Sequence, residues 1–286
     1  MPKNLRKDLQ IAKEQVQNAD AILLVTGAGM SVDSGIPTYR GKNGIWTKSI
    51  QIGQDVYSYD EISSLHMWKT RPELAWGFKA HFYKIMNELS PHEGYYELFD
   101  KIKHKEYFIC TSNIDGYFKR VGFDPNRIYE VHGSVNYLQC MDKHCNIQNG
   151  ITEATCLPHY DPNTFLVDTL PKCTFCNNMS RPNVSMFGDV EFYGKPYEYQ
   201  RKRLDTWLQM LKKQNKSLII LEIGCGINPH SLRMSNGKMM SGEWKMPVFD
   251  NHMGTIRINP SDIQDDENTI HIPMGAKTGI HNLFNY

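Results

Sequence analysis

Residues 21–31 have the sequence AILLVTGAGMS, an apolar run that ends in a glycine-rich turn. An apolar run of this length bounded by glycine predicts a buried β-strand followed by a tight loop. Glycines there let the backbone turn sharply and approach a phosphate, which N–H groups of the turn and the next helix can hold. Because the third glycine of the usual dinucleotide motif is missing, an ordinary tight turn remains an alternative at this point.

Short apolar runs alternate with helical patterns along the rest of the chain. Further strands are predicted at 107–111, 128–131, 183–186, 217–223, 255–258 and 269–272, and helices at 4–19, 72–89 and 197–213. Strands of this length separated by helices predict an α/β fold built on a parallel, Rossmann-like sheet.

Two stretches interrupt this alternation. Residues 42–64 predict a long loop or lid, whereas 140–176 contains the paired cysteines and predicts an inserted module. We expect a single domain, 1–286, whose Rossmann-like part comprises about 1–45, 85–137 and 181–286. A helical lid segment would occupy about 46–84 and the cysteine module about 138–180. A cleft between the sheet and such a module would suit a ligand.

Charge and hydropathy exclude several classes of protein. The 286 residues have a formal net charge of +1, so they lack the basic surface typical of nucleic-acid binding. The longest apolar runs, 21–25 and 218–221, are too short to cross a bilayer, and 1–20 lacks the apolar core of a signal peptide. We expect a soluble protein of the cytoplasm, with the nucleus as the alternative.

Seven cysteines are present, and the spacing of four of them predicts a metal site. These four form two close pairs, Cys140 with Cys145 and Cys173 with Cys176. Two such pairs can converge on one tetrahedral ion, and four thiolates with no open position predict a structural zinc. The alternative is four buried free thiols, and the spare ligands nearby are Cys156 and His144.

Polar residues directly follow several predicted strands. The segments are TSNID at 111–115, VHGS at 131–134, GCGIN at 224–228 and RINP at 257–260. Since open α/β sheets bind ligands at the carboxyl ends of their strands, the Asn and Asp side chains could contact an amide or sugar hydroxyls. His132 is suited to proton transfer near neutral pH. Taken singly, each segment is better explained as a turn.

The order of these segments strongly resembles that of the sirtuin family. The string GAGMSVDSGIPTYRG at 27–41 is its most specific part, and TSNID, VHGS, the cysteine pairs, RPNVSMFG at 181–188, GCG and INP follow in order. The resemblance spans 21–276 and implies an NAD-dependent protein-lysine deacylase on a Rossmann-like fold with a zinc module. The products would be nicotinamide, O-acyl-ADP-ribose and free lysine.

The resemblance also implies roles for individual residues. His132 would be the general base, and Asn113 and Asp115 would hold the nicotinamide ribose and carboxamide. The NAD contacts would be Gly27, Ala28, Gly29, Met30, Asp33, Tyr39, Arg40, Ser112, Asn113, Asp115, Gly224, Cys225, Gly226, Asn228 and Asn259. The acylated peptide would add as a strand along 184–189, against Val184, Met186, Phe187 and Gly188. Zinc would bind Cys140, Cys145, Cys173 and Cys176.

The chain departs from the family pattern at several positions. Ser112 replaces the usual Gln, Thr38 the usual Asp and Asn228 the usual Ser. The region after 228 resembles divergent bacterial branches, so an NAD-dependent protein ADP-ribosyltransferase or NAD glycohydrolase is the alternative function. A module that only binds nucleotide is a third interpretation, against which the presence of Asn113, Asp115 and His132 argues.

One subclass of the family is disfavoured. Members that remove acidic acyl groups have a Tyr and an Arg on the helix beside the acyl tunnel. The matching positions here are Lys79 and Phe82, so the bidentate Arg is missing. We therefore expect a neutral acyl group.

Overall fold

The structure is a computed structural model, and it describes residues 3–38, 44, 49–186, 188–226, 232, 234–235, 238–239, 251–261 and 268–285. Four of the residues with a predicted contact lie outside the described part of the chain: Tyr39, Arg40, Phe187 and Asn228. Among the described residues, no helix combines the length and apolar character that a bilayer span requires.

The described elements alternate between strand and helix over much of the chain. The strands are β1 (Ala21–Thr26), β2 (Ile50–Ile52), β3 (Asp55–Tyr57), β4 (Glu106–Thr111), β5 (Ile128–Glu130), β6 (Gly133–Cys140), β7 (Thr152–Glu153), β8 (Ser180–Val184), β9 (Leu218–Ile223), β10 (Met234–Ser235), β11 (Lys238–Met239), β12 (His252–Ile258) and β13 (Thr269–Ile272). The α-helices are α1 (Lys3–Asn18), α2 (Tyr59–Ile62), α3 (Leu65–Thr70), α4 (Pro72–Glu88), α5 (Glu93–Ile102), α6 (Tyr117–Val121), α7 (Lys143–Asn149), α8 (Lys195–Lys213) and α9 (Ala276–Asn285). Short 3-10 helices occupy Ala28–Ser34 and Pro125–Arg127.

Six of these strands form one parallel sheet in the order β13-β12-β9-β1-β4-β5. Numbered among themselves along the chain, they follow the order 6-5-4-1-2-3, which is the Rossmann arrangement. The chain leaves β1 for β4 and β5 and then returns to the other side of β1 with β9. The strand order therefore reverses between β1 and β9, the place where such sheets bind ligands. The predicted Rossmann-like sheet is confirmed.

The parallel strands are apolar on both faces because helices cover both. In β1, Ile22 and Leu24 belong to the core that includes α1, α5 and α9, whereas Leu23 and Val25 belong to the core beneath α8. Successive side chains of a strand point to opposite faces, so one apolar run supplies both layers. Because helices pack on both faces, the carboxyl ends of the strands lie in fixed positions along one edge of the sheet.

A smaller antiparallel sheet, in the order β7-β6-β8, forms the base of the cysteine module. The run at 183–186, predicted to join the parallel sheet, instead overlaps β8, which pairs with β6. That assignment was wrong because an apolar run does not reveal its partner strand. The paired strands begin at Gly133 and end at Val184, so they extend beyond the module bounds of 138–180 expected from the sequence.

The segment expected to be a long loop or lid at 42–64 contains regular structure where it is described. β2 and β3 form a hairpin, and α2 follows a capping box at Ser58. With α3 and α4, they pack against the cysteine module through a core that includes Trp68, Trp76 and Phe78. The loop interpretation was wrong because three-residue strands and one-turn helices are too short to produce a periodic pattern.

Candidate active site

Two glycine loops meet where the strand order reverses. The first, 27–29, follows β1, and the second, 224–226, follows β9. The Gly27 N–H donates to Ile223 O at 3.1 Å, and the Gly29 N–H donates to Gly224 O at 3.0 Å. A Cβ at Gly27 would lie 2.7 Å from Gly224 O, and one at Gly29 would lie 2.6 Å from Gly224 Cα. The two loops therefore touch backbone to backbone, which only glycine allows.

Several N–H groups of the first glycine loop, expected to be available to a phosphate, donate hydrogen bonds within the fold instead. Those of Gly27 and Gly29 bind β9 and its loop, and the Met30 N–H donates to Gly27 O at 2.9 Å. The Met30 side chain lies in the main core, and the Cys225 thiol is buried 3.6 Å from Val25 O. Gly226 is exposed, and among the described residues no atom would lie within 4 Å of a Cβ added there.

Gly224→Ala is expected to lower the free energy of unfolding by about 2 kcal/mol or more, because it combines backbone strain with overpacking. Gly224 has a φ of 65°, and a Cβ there would lie 2.3 Å from Met30 N. Gly226→Ala is the matched control and is expected to change stability by less than about 0.5 kcal/mol. Urea unfolding of the three proteins measures both values, and equal stability of the two variants would contradict the interlocked loops.

Side-chain hydrogen bonds connect the ends of β1 and β4. Thr26 Oγ1 donates to Thr111 Oγ1 at 2.8 Å, which in turn accepts the Asn113 N–H at 3.1 Å. Beyond them, Asn113 Nδ2 donates to Ser31 Oγ at 3.0 Å, and Ser31 Oγ donates to Asp115 Oδ2 at 2.7 Å. Asn113 and Asp115 are both buried. The structure thus brings these two predicted residues together through a serine.

The Asp115 carboxylate is held largely by the protein itself. Besides Ser31, it accepts the Tyr117 N–H on Oδ1 at 2.9 Å. Burial raises the pKa of Asp115, and the hydrogen bonds from Tyr117 and Ser31 act in the opposite direction. Its position is therefore fixed from two sides at the start of α6.

His132 is half-buried and lies at the junction of the two sheets, in the two-residue turn between β5 and β6. Its carbonyl accepts the Ser185 N–H at 2.9 Å, which joins it to the segment after β8. The next residue, Gly133, has a φ of 83°, and a Cβ there would lie 2.2 Å from Asn183 O. Glycine is therefore required at position 133, beside the predicted base, because any side chain there would clash with β8.

Asp33 and Asn259 make contacts within the fold that the sequence analysis did not anticipate. Asp33 Oδ2 accepts the Lys277 N–H at 2.8 Å, in the first turn of α9, where a carboxylate stabilises the helix. Asn259 Nδ2 donates to Cys225 O at 3.0 Å and so supports the second glycine loop. Both residues help to hold the two loops at the edge of the sheet.

The segment predicted to contact a peptide continues β8, an edge strand of the small sheet. Val184 pairs with Gly133, Met186 Sδ accepts the Trp68 indole N–H at 3.0 Å, and Gly188 is exposed with a φ of 62°. The Arg181 and Asp189 side chains are fully buried and form an ion pair across the base of this segment, in which Arg181 Nη2 donates to both carboxylate oxygens, at 2.8 and 2.9 Å. The segment is therefore anchored at both of its ends.

The four paired cysteines converge in the module. Their Sγ atoms all lie within 4.8 Å of one another, with 3.4 Å between Cys140 and Cys176 and 3.6 Å between Cys145 and Cys173. Tetrahedral zinc, with Zn–S bonds of about 2.3 Å, requires Sγ–Sγ distances of about 3.8 Å, which this arrangement fits closely. Burial raises the pKa of Cys173, but N–H groups of the loop outweigh burial and lower that pKa to about 7. Within the described residues the cluster includes neither Cys156 nor His144.

The family model of the Sir2 family, the sirtuins, matches residues 27–220, about two thirds of the chain. This chain belongs to the Sir2 family. The match begins at the first glycine loop and includes the Asn113 segment, His132 and all four cysteines.

Curated relatives in the Sir2 family extend over most of the same region. The NAD-dependent protein deacylase 2 of Pseudomonas aeruginosa is 30% identical over 202 residues, which cover 68% of this chain and 72% of the relative. The NAD-dependent protein deacetylase of Bacillus subtilis is 32% identical over 192 residues, covering 64% of this chain and 69% of the relative.

Solved Sir2 structures share the fold. A Sir2 homologue in complex with ADP-ribose has a TM-score of 0.67 and 20% identity, and the match covers 99% of this chain and 95% of the other. A Sir2 homologue in complex with NAD has a TM-score of 0.65 and 20% identity, with 99% and 93% covered. At this identity the likeness establishes the architecture of the chain.

Ser112 is the departure from the Sir2 pattern closest to the buried polar group. Its N–H donates to Thr26 O at 3.0 Å, and its hydroxyl lies 3.4 Å from the same carbonyl. The short side chain is thus directed back to the end of β1. A glutamine at this half-exposed position would extend farther from the sheet edge.

Three residues that shape this Sir2 site were not among the predicted site residues. Ser31 lies in the glycine motif at 27–41 and Arg181 in RPNVSMFG at 181–188, so these motifs could have indicated both. Tyr95, whose hydroxyl lies 2.9 Å from Ser31 Oγ, is on α5, and no sequence pattern pointed to it.

Proposed function

We propose that the chain is an NAD-dependent protein-lysine deacylase that releases nicotinamide, O-acyl-ADP-ribose and free lysine. The observation that supports this most directly is the placement of Asn113, Asp115 and His132 after β4 and β5, at the same edge of the sheet as the two glycine loops. The named deacylases and deacetylases among its relatives support the same activity.

The strand order of the sheet supports NAD binding at this edge. The reversal of strand order lies between β1 and β9, the place where Rossmann sheets bind dinucleotides. Within the described part of the chain, nothing crowds the exposed Gly226, so a phosphate could approach its backbone. In this proposal Gly27, Ala28, Gly29, Gly224, Cys225, Gly226 and Asn259 support the pyrophosphate and adenosine half.

The polar residues at the ends of β4 and β5 would act on the nicotinamide half. When bound, NAD supplies a ribose carbon that accepts the acyl oxygen as nicotinamide leaves. Asn113 and Asp115, which are linked through Ser31, would hold the nicotinamide ribose and carboxamide. His132 would take a proton from a ribose hydroxyl, which its place after β5 allows.

An acylated lysine peptide would add to the small sheet as a further strand. β8 lies at the edge of that sheet, and the segment after it is anchored by Arg181 and Asp189. Backbone pairing of this kind gives affinity with little sequence preference. Because it would join the same junction at which His132 lies, the peptide would enter beside the proposed base.

The cysteine cluster would hold one structural zinc ion. Four thiols at near-tetrahedral spacing leave no position for water or substrate, so the ion would have no part in the chemistry. Its place next to β6 and β8 would let it stabilise the strands that flank His132.

The deacylase activity is tested by incubating the purified protein with NAD, with and without an acetyl-lysine peptide. Mass spectrometry follows nicotinamide and O-acetyl-ADP-ribose. We expect nicotinamide release to require the peptide and to match O-acetyl-ADP-ribose formation one for one. Nicotinamide formed without peptide, with ADP-ribose free or attached to protein, would instead establish the glycohydrolase or transferase alternative. A succinyl-lysine peptide in the same assay tests the expectation of a neutral acyl group.

A further inference from the structure

The Ser31 hydroxyl lies within hydrogen-bond distance of three buried side chains. Its Oγ lies 2.7 Å from Asp115 Oδ2, 3.0 Å from Asn113 Nδ2 and 2.9 Å from the Tyr95 hydroxyl. Asn113 and Asp115 belong to the proposed NAD site. Tyr95 comes from α5, outside every motif in the sequence, and is fully buried.

Hydrogen-bond chemistry assigns a direction to each contact. A serine hydroxyl has one proton to donate and two lone pairs that accept, an amide nitrogen only donates, and an ionised carboxylate only accepts. The Ser31 proton therefore goes to Asp115, and both Asn113 and Tyr95 donate to Ser31 Oγ. Burial, and then the nearby Asp115, raise the pKa of Tyr95 well above its usual range, so its hydroxyl stays a donor.

Tyr95 is held rigidly enough to position its partner. Its ring centroid lies 5.0 Å from that of His92, 5.0 Å from Phe118 and 5.8 Å from Tyr117. One tilted and two edge-on ring contacts leave the phenol little freedom to move. The Tyr95 hydroxyl therefore presents a fixed proton to Ser31.

We propose that Tyr95 is a positioning residue of the NAD site, which orients Ser31 so that Asn113 and Asp115 hold the nicotinamide ribose. Without the Tyr95 hydroxyl, Ser31 loses one of its two incoming hydrogen bonds and can rotate. Asn113 and Asp115 then lose the common contact that sets their relative position. Tyr95 acts only through Ser31, and this inference rests on the proposed use of NAD.

Tyr95→Phe tests the proposal because it removes the hydroxyl and keeps the ring. Displaced groups at a reacting centre can cost up to about 100-fold in rate. We expect kcat/KM for NAD to fall by about tenfold or more, the Kd for NAD measured by calorimetry to rise, and the KM for peptide to stay unchanged. The matched control is Tyr107→Phe, which removes another buried hydroxyl, one that accepts the Asp124 N–H at 3.2 Å away from this site. It is expected to behave like the unmodified protein.

A double-mutant cycle with Ser31→Ala separates positioning from a structural role. If Tyr95 acts through Ser31, the second substitution adds almost nothing to the first, in Kd for NAD and in kcat/KM. Additive effects, or a Tyr95→Phe protein that matches Tyr107→Phe, would overturn the proposal. Thermal unfolding of all variants corrects for the folded fraction. If the unmodified protein binds NAD but shows no peptide-dependent nicotinamide release, the deacylase function fails, while the cycle on Kd still decides the role of Tyr95.

Discussion

Replacing His132 with alanine is expected to lower O-acetyl-ADP-ribose formation by about 10²–10⁴-fold, the usual contribution of a positioned general base. His132 would act after nicotinamide has left, when a ribose hydroxyl must lose its proton. Exchange of labelled nicotinamide into NAD reports the earlier step alone, and it should continue in the variant when peptide is present. His132→Ala should therefore block product formation while leaving nicotinamide exchange largely intact.

The backbone hydrogen bond from the Ser185 N–H should survive the change at His132, because it uses the carbonyl, which alanine retains. Gly133 still supplies the turn that follows. His104→Ala, in an exposed position after α5, is the matched control and should leave both reactions unchanged. A His132→Ala protein that forms product at the normal rate, or that loses exchange and product in equal proportion, would rule out this role.

The second large effect is expected at the cysteine cluster. Cys173→Ala removes one of four convergent thiols, and we expect zinc content to fall well below one ion per chain. Loss of a structural metal belongs to the small class of changes that cost about 4 kcal/mol or more. The thermal midpoint should fall accordingly, and deacylation with it, because β6 links the cluster at Cys140 to Gly133 beside His132.

Cys156→Ala is the matched control for this experiment. Cys156 is exposed and lies outside the cluster, so its loss should change neither zinc content nor thermal midpoint. Zinc is measured by mass spectrometry of the metal after dialysis, and unfolding by circular dichroism. Full zinc occupancy in Cys173→Ala, or equal losses in the two variants, would show that the four thiols do not form one site.

The positions of most parallel strands could be predicted because the signals are local. Each of β1, β4 and β9 is a mostly apolar strand of six residues with turn residues after it, and burial on both faces makes its apolar residues contiguous rather than alternating. The cysteine cluster could also be predicted, because two closely spaced pairs can supply the four ligands of a tetrahedral ion. The segments that contain Asn113, Asp115 and His132 directly follow predicted strands. Because the carboxyl ends of parallel strands lie at one edge of a sheet, their common location could be predicted as well.

The partnerships between distant segments could not be obtained in this way. Ser31 and Asp115 are 84 residues apart, and the second glycine loop lies about 195 residues beyond the first, yet each pair is in contact. Whether a loop N–H is open to a phosphate or used by the next strand depends on such contacts. The pairing of β8 with β6 also depends on contacts between distant segments. The same is true of the hydrogen bond between Ser31 and the Tyr95 hydroxyl of α5. Local patterns set which residues form strands and ligands, whereas packing of the whole chain sets which polar groups remain for the substrate, because hydrogen bonds are satisfied in three dimensions.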